Sequence, residues 1–238
     1  MTGSFVSPGM RARVRDLATP VARGLGRLGL TPNALTLIGF LGTCVAAFAA
    51  ASQWWLAAGL LMLVFGIFDL FDGTLARATG RATKLGAFLD STFDRAGEAI
   101  VYIGIASGTL AAGFEVGAIL AASAMAAAFM VSYTRAKAES LGFASGSGLA
   151  NIGLAPREVR LALLAAGLIL VALAGPFVVP PPCSETAPGV LTCIYALYAS
   201  MPLTGSTILA TTLGLITVLA TMTTIQRILH VRAQSREG

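Results

Sequence analysis

The sequence has 238 residues, of which 56% are apolar and 11% are charged, and its mean hydropathy is +0.81. A typical soluble domain has about 25% charged residues, and a globule of this length cannot bury so much apolar surface. The composition therefore excludes a cytosolic enzyme, a disordered chain and a disulfide-stapled secreted module, and it predicts an integral membrane protein.

The chain begins with a basic amphipathic segment. Apolar residues between Val14 and Leu28 follow helical spacing, while the arginines of this stretch take other directions. This pattern predicts a juxtamembrane helix that lies on the membrane surface, within a cytoplasmic segment over residues 1–30. Thr31 and Pro32 then suit the N-cap and the first position of a spanning helix.

Six apolar segments are each long enough to cross a bilayer. We place them at Thr31–Ala51, Trp54–Ala76, Ala87–Leu110, Val116–Ala136, Leu161–Val179 and Ser206–Leu229. The expected fold is all-α: a polytopic membrane protein with six transmembrane helices in one domain over residues 31–230. Residues 231–238 are left as a cytoplasmic tail.

The distribution of charge predicts the orientation. All 16 arginines and lysines fall on one side of the six-span plan, and the loops on the other side, around Ser52, Gly113 and Pro180–Thr204, contain none. The positive-inside rule therefore puts both termini on the cytoplasmic side of the cytoplasmic membrane. The net charge of +5 then follows from topology and indicates no nucleic-acid partner. The last outward loop holds Cys183 and Cys193, for which a disulfide is one hypothesis.

Four aspartates lie at the cytoplasmic ends of the second and third spans. Asp69 and Asp72 are three residues apart, and Asp90 and Asp94 are four apart, so each pair lies on one face of its helix. An antiparallel hairpin of the two helices would bring these two faces together. A charge in a spanning helix costs about 2.5–3.5 kcal/mol, so four of them need a cation or a function. All-oxygen ligands suit Mg²⁺, Mn²⁺ or Ca²⁺, and cations nearby favour a phosphate or diphosphate substrate. The alternative is an internal network of ion pairs with Arg77, Arg81, Lys84 and Arg95.

Residues 69–94 resemble the signature DxxDGxxARx8GxxxDxxxD of the CDP-alcohol phosphotransferase family, with all eight fixed positions matched. The resemblance implies a metal-dependent enzyme at the cytoplasmic face, which transfers a phosphatidyl group from CDP-diacylglycerol to an alcohol and releases CMP. It implies that the four aspartates bind Mg²⁺ or Mn²⁺, as two ions, and that Asp94 is also the general base. It further implies a homodimer, and a CDP-lipid site formed by Pro32, Asn33, Ala34, Leu35, Gly73, Arg77 and Thr83.

The acceptor alcohol is indicated by a second set of residues. The end of the fourth span, SYTRAKAE at residues 132–139, resembles the family members that use inositol 1-phosphate (1D-myo-inositol 3-phosphate), the phosphatidylinositol phosphate synthases. This chain departs from them at position 135, where Lys is usual, and in the segment 156–160. Both departures keep positive charge, so we expect an acceptor-phosphate site formed by Ser132, Arg135, Arg160 and Arg227.

Two other functions fit part of the pattern. Glycerol 3-phosphate needs a similar anion site, which would make the protein a phosphatidylglycerophosphate synthase, whereas serine has less need of three arginines. A divalent-cation transporter would use the four aspartates as a transport site and predicts acidic residues further toward the outside. Beyond Glu98, the outward halves of the spans are mostly Ala, Leu, Val and Gly.

Overall fold

The computed structural model of the chain describes residues 8–143, 153–174 and 204–237, and these ranges contain helices and turns but no strand. The helices are α1 (Pro8–Arg27), α2 (Pro32–Ala51), α3 (Trp55–Ala78), α4 (Lys84–Ala111), α5 (Glu115–Ser140), α6 (Arg157–Leu173) and α7 (Gly205–Glu237). The prediction of an all-α protein is confirmed. Cys183, Cys193 and the end of the predicted fifth span, residues 175–179, lie outside the described residues.

Four of these helices are long and apolar enough to cross a membrane, namely α2, α3, α5 and residues Gly205–Arg236 of α7. The first half of α4 carries the charged residues of the motif, and α6 has 17 residues. Large apolar side chains such as Phe48, Leu60 and Val218 are exposed on the outer surface, as expected for helices that contact lipid. The count of six spans remains a prediction.

The two helices that begin beside the aspartate motif are both capped by threonine. Thr31 Oγ1 accepts a hydrogen bond from the amide of Ala34 at 3.2 Å, and Thr83 Oγ1 accepts one from Gly86 at 3.0 Å. Pro32 occupies the first position of α2, where its missing N–H costs nothing. The predicted N-cap at Thr31 is therefore confirmed, and the starts of α2 and α4 are fixed.

Six helices pack in the cyclic order α2, α3, α6, α7, α5, α4 and back to α2, while α1 packs against α3. The helices α3 and α4 follow each other in the chain, but each packs mainly against α2. This differs from the closed hairpin that the spacing of the aspartates predicts. The C-terminal end of α3 and the N-terminal end of α4 instead converge around the first turn of α2, with a cavity between them.

Small residues let the ring close tightly. On α4, a side chain at Gly104 or Gly108 would collide with the backbone carbonyl oxygens of Ala47 and Ala50 on α2. Such close approach is typical of helix pairs in membranes. The interior is filled by alanines together with Tyr102, Ile105, Leu164, Leu168, Leu209, Leu213 and Ile216.

The N-terminal helix α1 extends further toward the N-terminus than the amphipathic pattern alone predicts. Its Ala22 is fully buried with Leu35 and Leu75, which holds α1 against the start of α2 and the end of α3. Leu17 of α1 and Leu28, which follows its last residue, are exposed. The helix itself is confirmed, and its contact with the membrane surface remains a prediction.

Candidate active site

The aspartates of the motif lie on the facing ends of α3 and α4. Asp69 and Asp72 occupy successive turns of α3 near its end, and Asp90 and Asp94 occupy the second and third turns of α4. The carboxylate of Asp72 is buried, with 3% of its surface exposed. The side chain of Asp69 is outside the described part of the chain.

A cavity of about 160 Å³, which we call the aspartate cavity, lies between the ends of α2, α3 and α4. Asp72 and Asp90 are in its wall, together with Thr36, Ala76 and Ala87. The predicted CDP-lipid residues Pro32, Asn33, Gly73, Arg77 and Thr83 also line it. Arg81, Ala82 and Gly86 complete the lining.

Two predicted CDP-lipid residues, Ala34 and Leu35, do not line the aspartate cavity. The helical period explains this, because positions 32, 33 and 36 share one face of α2 while Leu35 points into the core with Ala22. By the same period, Thr36 lies one turn after Pro32, and this relation is the signal that would have added it to the predicted set. Arg81 was assigned above only to a possible ion-pair network, and it lines the cavity.

The carboxylate of Asp72 is held by two donors. The hydroxyl of Thr36 on α2 donates to Oδ2 over 2.6 Å, and the amide of Gly73 donates to Oδ1. Gly86 provides a further point of close approach, since a side chain there would lie 3.1 Å from Thr83 Oγ1 and 3.2 Å from Asn33 Oδ1. The start of α2 and the start of α4 are thus in contact across the cavity.

A second cavity of about 170 Å³, the arginine cavity, lies between α4, α5, α6 and α7. All four predicted acceptor-phosphate residues line it, although they come from three helices and span 95 positions of the sequence (132 to 227). The full lining is Asp94, Arg95, Val131, Ser132, Arg135, Pro156, Arg157, Glu158, Arg160 and Arg227. The predicted set omitted Arg95, which was assigned above only to a possible ion-pair network, and Arg157, which lies in the segment 156–160.

Arg160 is the most buried cation of the arginine cavity, with 1% of its surface exposed. Its Nε and Nη2 donate to both carboxylate oxygens of Glu98 at 2.9 and 2.8 Å, and its Nη1 donates to the carbonyl of Ala155 at 2.9 Å. The amide of Ala155 in turn donates to Thr223 Oγ1 on α7 over 2.9 Å. The segment before α6 is therefore tied to α4 and α7, which fixes the guanidinium of Arg160 in the wall.

The other arginines of this cavity are less buried or bonded to backbone. Arg135 pairs with Glu139 one turn later, at 2.8 Å, and both side chains are exposed. Arg227 is 4% exposed and donates to the carbonyl of Val131. Asp94 forms ion pairs with Arg157 at 2.9 Å and with Arg95 at 3.6 Å.

Asp94 lies between the two cavities. A gap of about 10 Å³ beside it is lined by Thr36, Phe40, Thr43, Phe93, Asp94, Gly97 and Arg157. Thr36 belongs also to the aspartate cavity, and Asp94 and Arg157 belong also to the arginine cavity. The gap therefore adjoins both cavities, and the Asp94 carboxylate lies on its arginine-cavity side.

The donors beside the aspartate cavity have the chemistry of a Mg²⁺ or Mn²⁺ site. They are carboxylates in i,i+3 and i,i+4 register on two helices, and one of them, Asp72, is buried and oriented by hydrogen bonds. Hard divalent cations prefer such oxygen ligands. Among the described side chains, which do not include that of Asp69, no group of three suited to enclosing an ion is found.

The ring of apolar helices carries carboxylates beside the aspartate cavity and cations around the arginine cavity. This arrangement is that of a class of protein: a helical phosphotransferase that acts at a membrane. Residues 29–223 match the family described as CDP-alcohol phosphatidyltransferase, and the chain belongs to that family. The resemblance stated from the motif is confirmed.

Named relatives include two inositol phosphate enzymes. The chain is 39% identical to archaetidylinositol phosphate synthase of Pyrococcus horikoshii over 65% of its length and 78% of the relative. It is 36% identical to phosphatidylinositol phosphate synthase of Cutibacterium acnes over 69% of its length and 78% of the relative. The family and these relatives are transferases.

The fold is similar to that of solved structures of Mycobacterium tuberculosis phosphatidylinositol phosphate synthase. The crystal structure with CDP-DAG bound superposes with a TM-score of 0.67 at 27% identity, over 91% of this chain and 94% of that one. A second crystal structure, in complex with manganese and citrate, has a TM-score of 0.67 at 27% identity, over 90% of this chain and 88% of that one.

Proposed function

We propose that this protein transfers the phosphatidyl group of CDP-diacylglycerol to a hydroxyl of inositol 1-phosphate (1D-myo-inositol 3-phosphate), giving phosphatidylinositol phosphate and CMP. One observation carries the proposal: Asp94 lines both the cavity that holds five arginines and the small gap that this cavity shares, through Thr36, with the cavity of the CDP-alcohol motif. The names of the relatives and the CDP-DAG in the similar crystal structure support the same pair of substrates.

The aspartate cavity would take the CDP end of the lipid. Arg77 and Arg81 offer cationic donors to the diphosphate, and Asn33 and Thr83 offer polar groups at the mouth of the cavity. The two acyl chains would remain in the membrane. Gly73 has no side chain, so a phosphate would be able to come close to the backbone there. A Cβ atom at this position would lie 3.4 Å from the guanidinium of Arg77.

Asp69, Asp72, Asp90 and Asp94 would hold two Mg²⁺ or Mn²⁺ ions. Divalent ions bound there would neutralise the charge of the diphosphate and of the departing CMP. The manganese in a similar crystal structure supports a divalent ion of this kind.

The arginine cavity would take the phosphate of the acceptor. Arg160 is fixed by Glu98, Arg227 is anchored at Val131, and Ser132 and Arg135 complete the set, so a phosphate there would meet several charge-assisted donors. The phosphate then orients the rest of the polyol toward Asp94. Arg157 would exchange its ion pair with Asp94 for the bound phosphate.

The chemical step is a substitution at the phosphorus that carries the lipid. Asp94 accepts the proton of the acceptor hydroxyl, whose oxygen forms the new bond to that phosphorus. The bond from the phosphorus to the oxygen that bridges the two phosphates breaks, and the electron pair leaves with CMP. A proton and a nucleotide are therefore released for each lipid made.

The membrane arrangement belongs to the same proposal. We place six transmembrane helices with both termini and the active site at the cytoplasmic face of the cytoplasmic membrane, with α1 on the membrane surface. The arginines of α1 and of the two cavities suit the anionic inner leaflet. The active form would be a homodimer.

The test is CMP release from CDP-diacylglycerol by purified protein with Mg²⁺ or Mn²⁺. Inositol 1-phosphate, free inositol, glycerol 3-phosphate and serine are offered one at a time. We expect release with inositol 1-phosphate and little with free inositol, because the arginine cavity recognises the phosphate. Release with glycerol 3-phosphate alone would make the protein a phosphatidylglycerophosphate synthase, and release with none of the four would contradict the transferase proposal.

A further inference from the structure

A hydroxyl of α2 is bonded to one of the motif carboxylates of α3. Thr36 Oγ1 and Asp72 Oδ2 are 2.6 Å apart, and the two residues are 7% and 3% exposed. They lie 36 positions apart in the chain. The family signature runs from residue 69 to residue 94 and does not include Thr36.

The hydroxyl of Thr36 donates its hydrogen bond to the carboxylate of Asp72. Thr36 Oγ1 has two acceptors within reach, Asp72 Oδ2 at 2.6 Å and the carbonyl of Pro32 at 3.2 Å. A threonine hydroxyl carries one hydrogen, and a bond to an ionised carboxylate is shorter and about twice as strong as a neutral one. The short distance is in the range for such a charge-assisted bond, so the bond to Asp72 dominates.

The second oxygen of Asp72 accepts from the amide of Gly73. One donor therefore comes from the neighbouring helix and one from the backbone of the next residue in α3, and together they fix the rotation of the carboxylate plane. Thr36 also lines both the aspartate cavity and the gap beside Asp94, which places it at the centre of the site.

We propose that Thr36 is a positioning residue, which holds the Asp72 carboxylate in the orientation that a divalent cation needs. This inference rests on the metal centre of the proposed function. Groups that hydrogen-bond a metal ligand commonly change metal affinity by about 10–100-fold when they are removed. A merely structural role for Thr36 would change stability and leave metal affinity as it is.

The experiment measures Mn²⁺ binding to the full-length protein in detergent by electron paramagnetic resonance, together with the Mn²⁺ concentration for half-maximal CMP release. Thr36→Val keeps the shape of the side chain and removes the donor, and Thr36→Ser keeps the donor. The matched control is Thr217→Val on α7, whose hydroxyl donates to the carbonyl of Leu213 in its own helix.

We expect Thr36→Val to weaken Mn²⁺ binding by about 10–100-fold, and Thr36→Ser and Thr217→Val to bind like the unchanged protein. Thr36→Cys, whose thiol is a weak hydrogen-bond donor, replaces the valine variant if that variant does not fold. The cysteine variant should bind Mn²⁺ more weakly than the serine variant. Unchanged Mn²⁺ affinity in the valine or cysteine variant would overturn the inference while leaving the proposed function intact. Failure of the unchanged protein to bind Mn²⁺ would overturn both.

Discussion

The aspartate cavity and the arginine cavity adjoin the same small gap beside Asp94, yet they are built differently. The aspartate cavity is lined by two short stretches, residues 32–36 and 72–90, at the ends of three neighbouring helices. The arginine cavity collects residues from four helices between positions 94 and 227. Its geometry depends on long-range contacts, such as the buried pair of Arg160 and Glu98, whose partners are 62 positions apart.

Because the two cavities are built from different parts of the chain, a substitution in one should affect a different part of the proposed reaction from a substitution in the other. In the proposed function, a change to the motif residues of the aspartate cavity would affect the CDP-lipid half of the reaction. The proposed acceptor-phosphate residues Ser132, Arg135, Arg160 and Arg227 lie outside the motif. A change among them would therefore alter the acceptor while the motif stays the same.

The largest effect is expected at the junction of the two cavities. Asp94→Asn removes the proposed general base, which is also a proposed metal ligand, while keeping the size of the side chain, so the turnover rate should fall by at least about 10²–10⁴-fold. Binding of CDP-diacylglycerol, measured on the same sample, should persist. Glu115→Gln at the other end of α5 is the control, because Glu115 is exposed and far from both cavities. Near-normal turnover in the Asp94 variant would remove Asp94 from the mechanism.

Two of the ion pairs beside the arginine cavity should differ strongly in their contribution to stability. Glu98→Gln leaves the guanidinium of Arg160 buried without its counter-charge, which costs about 3–5 kcal/mol. Glu139→Gln breaks the exposed pair with Arg135, which costs about 0–1 kcal/mol. Unfolding of both variants in detergent, followed by circular dichroism, makes the comparison. Equal losses would mean that Glu98 does not fix Arg160 as described.

The kinetics of two arginine variants would test whether CDP-diacylglycerol and the acceptor alcohol bind in separate cavities. Arg77→Gln should raise the KM for CDP-diacylglycerol, and Arg135→Gln should raise the KM for inositol 1-phosphate. A lost hydrogen bond to a charged group is worth about 1.5–3 kcal/mol, or roughly 10–150-fold. Each variant serves as the control of the other. Equal changes in both KM values for either variant would contradict the assignment of separate cavities.

A smaller effect is expected from the helix crossing that supports the aspartate cavity. Gly104→Ala puts a methyl group against the carbonyl of Ala47 and forces α2 away from α4, at a cost of about 1–3 kcal/mol. Gly66→Ala on α3 has open space around it and should be neutral or stabilising by up to about 1 kcal/mol. Thermal unfolding of the two variants tests this pair. A Gly104 variant as stable as the Gly66 variant would show that the crossing is loose.

The motif could be placed from the sequence because its function depends on local register. Helical spacing alone puts Asp90 and Asp94 on one face of α4, and the cap at Thr31 marks where α2 starts. The arginines could be grouped only by charge and by their side of the membrane. That grouping selected three arginines that line one cavity together with Ser132, but it did not reveal that Arg157 and Arg95 join them.

Other features depend on packing, which a single sequence does not display. That α3 and α4 would pack against α2 more than against each other follows from the fit of Gly104 and Gly108 to the backbone of α2. The bond from Thr36 to Asp72 needs the same arrangement. Leu35 was assigned to the CDP-lipid site with its sequence neighbours, whereas the helical period turns it into the core with Ala22.

The most direct test of the account is a competition between acceptors. Purified protein with Mn²⁺ and CDP-diacylglycerol receives inositol 1-phosphate and glycerol 3-phosphate at equal concentration, and the lipid products are measured by mass spectrometry. We predict that phosphatidylinositol phosphate is the main product, and that Arg135→Gln lowers its yield while Glu115→Gln does not. Phosphatidylglycerophosphate as the main product would contradict the assigned acceptor, and the absence of both lipids would contradict the transfer reaction itself.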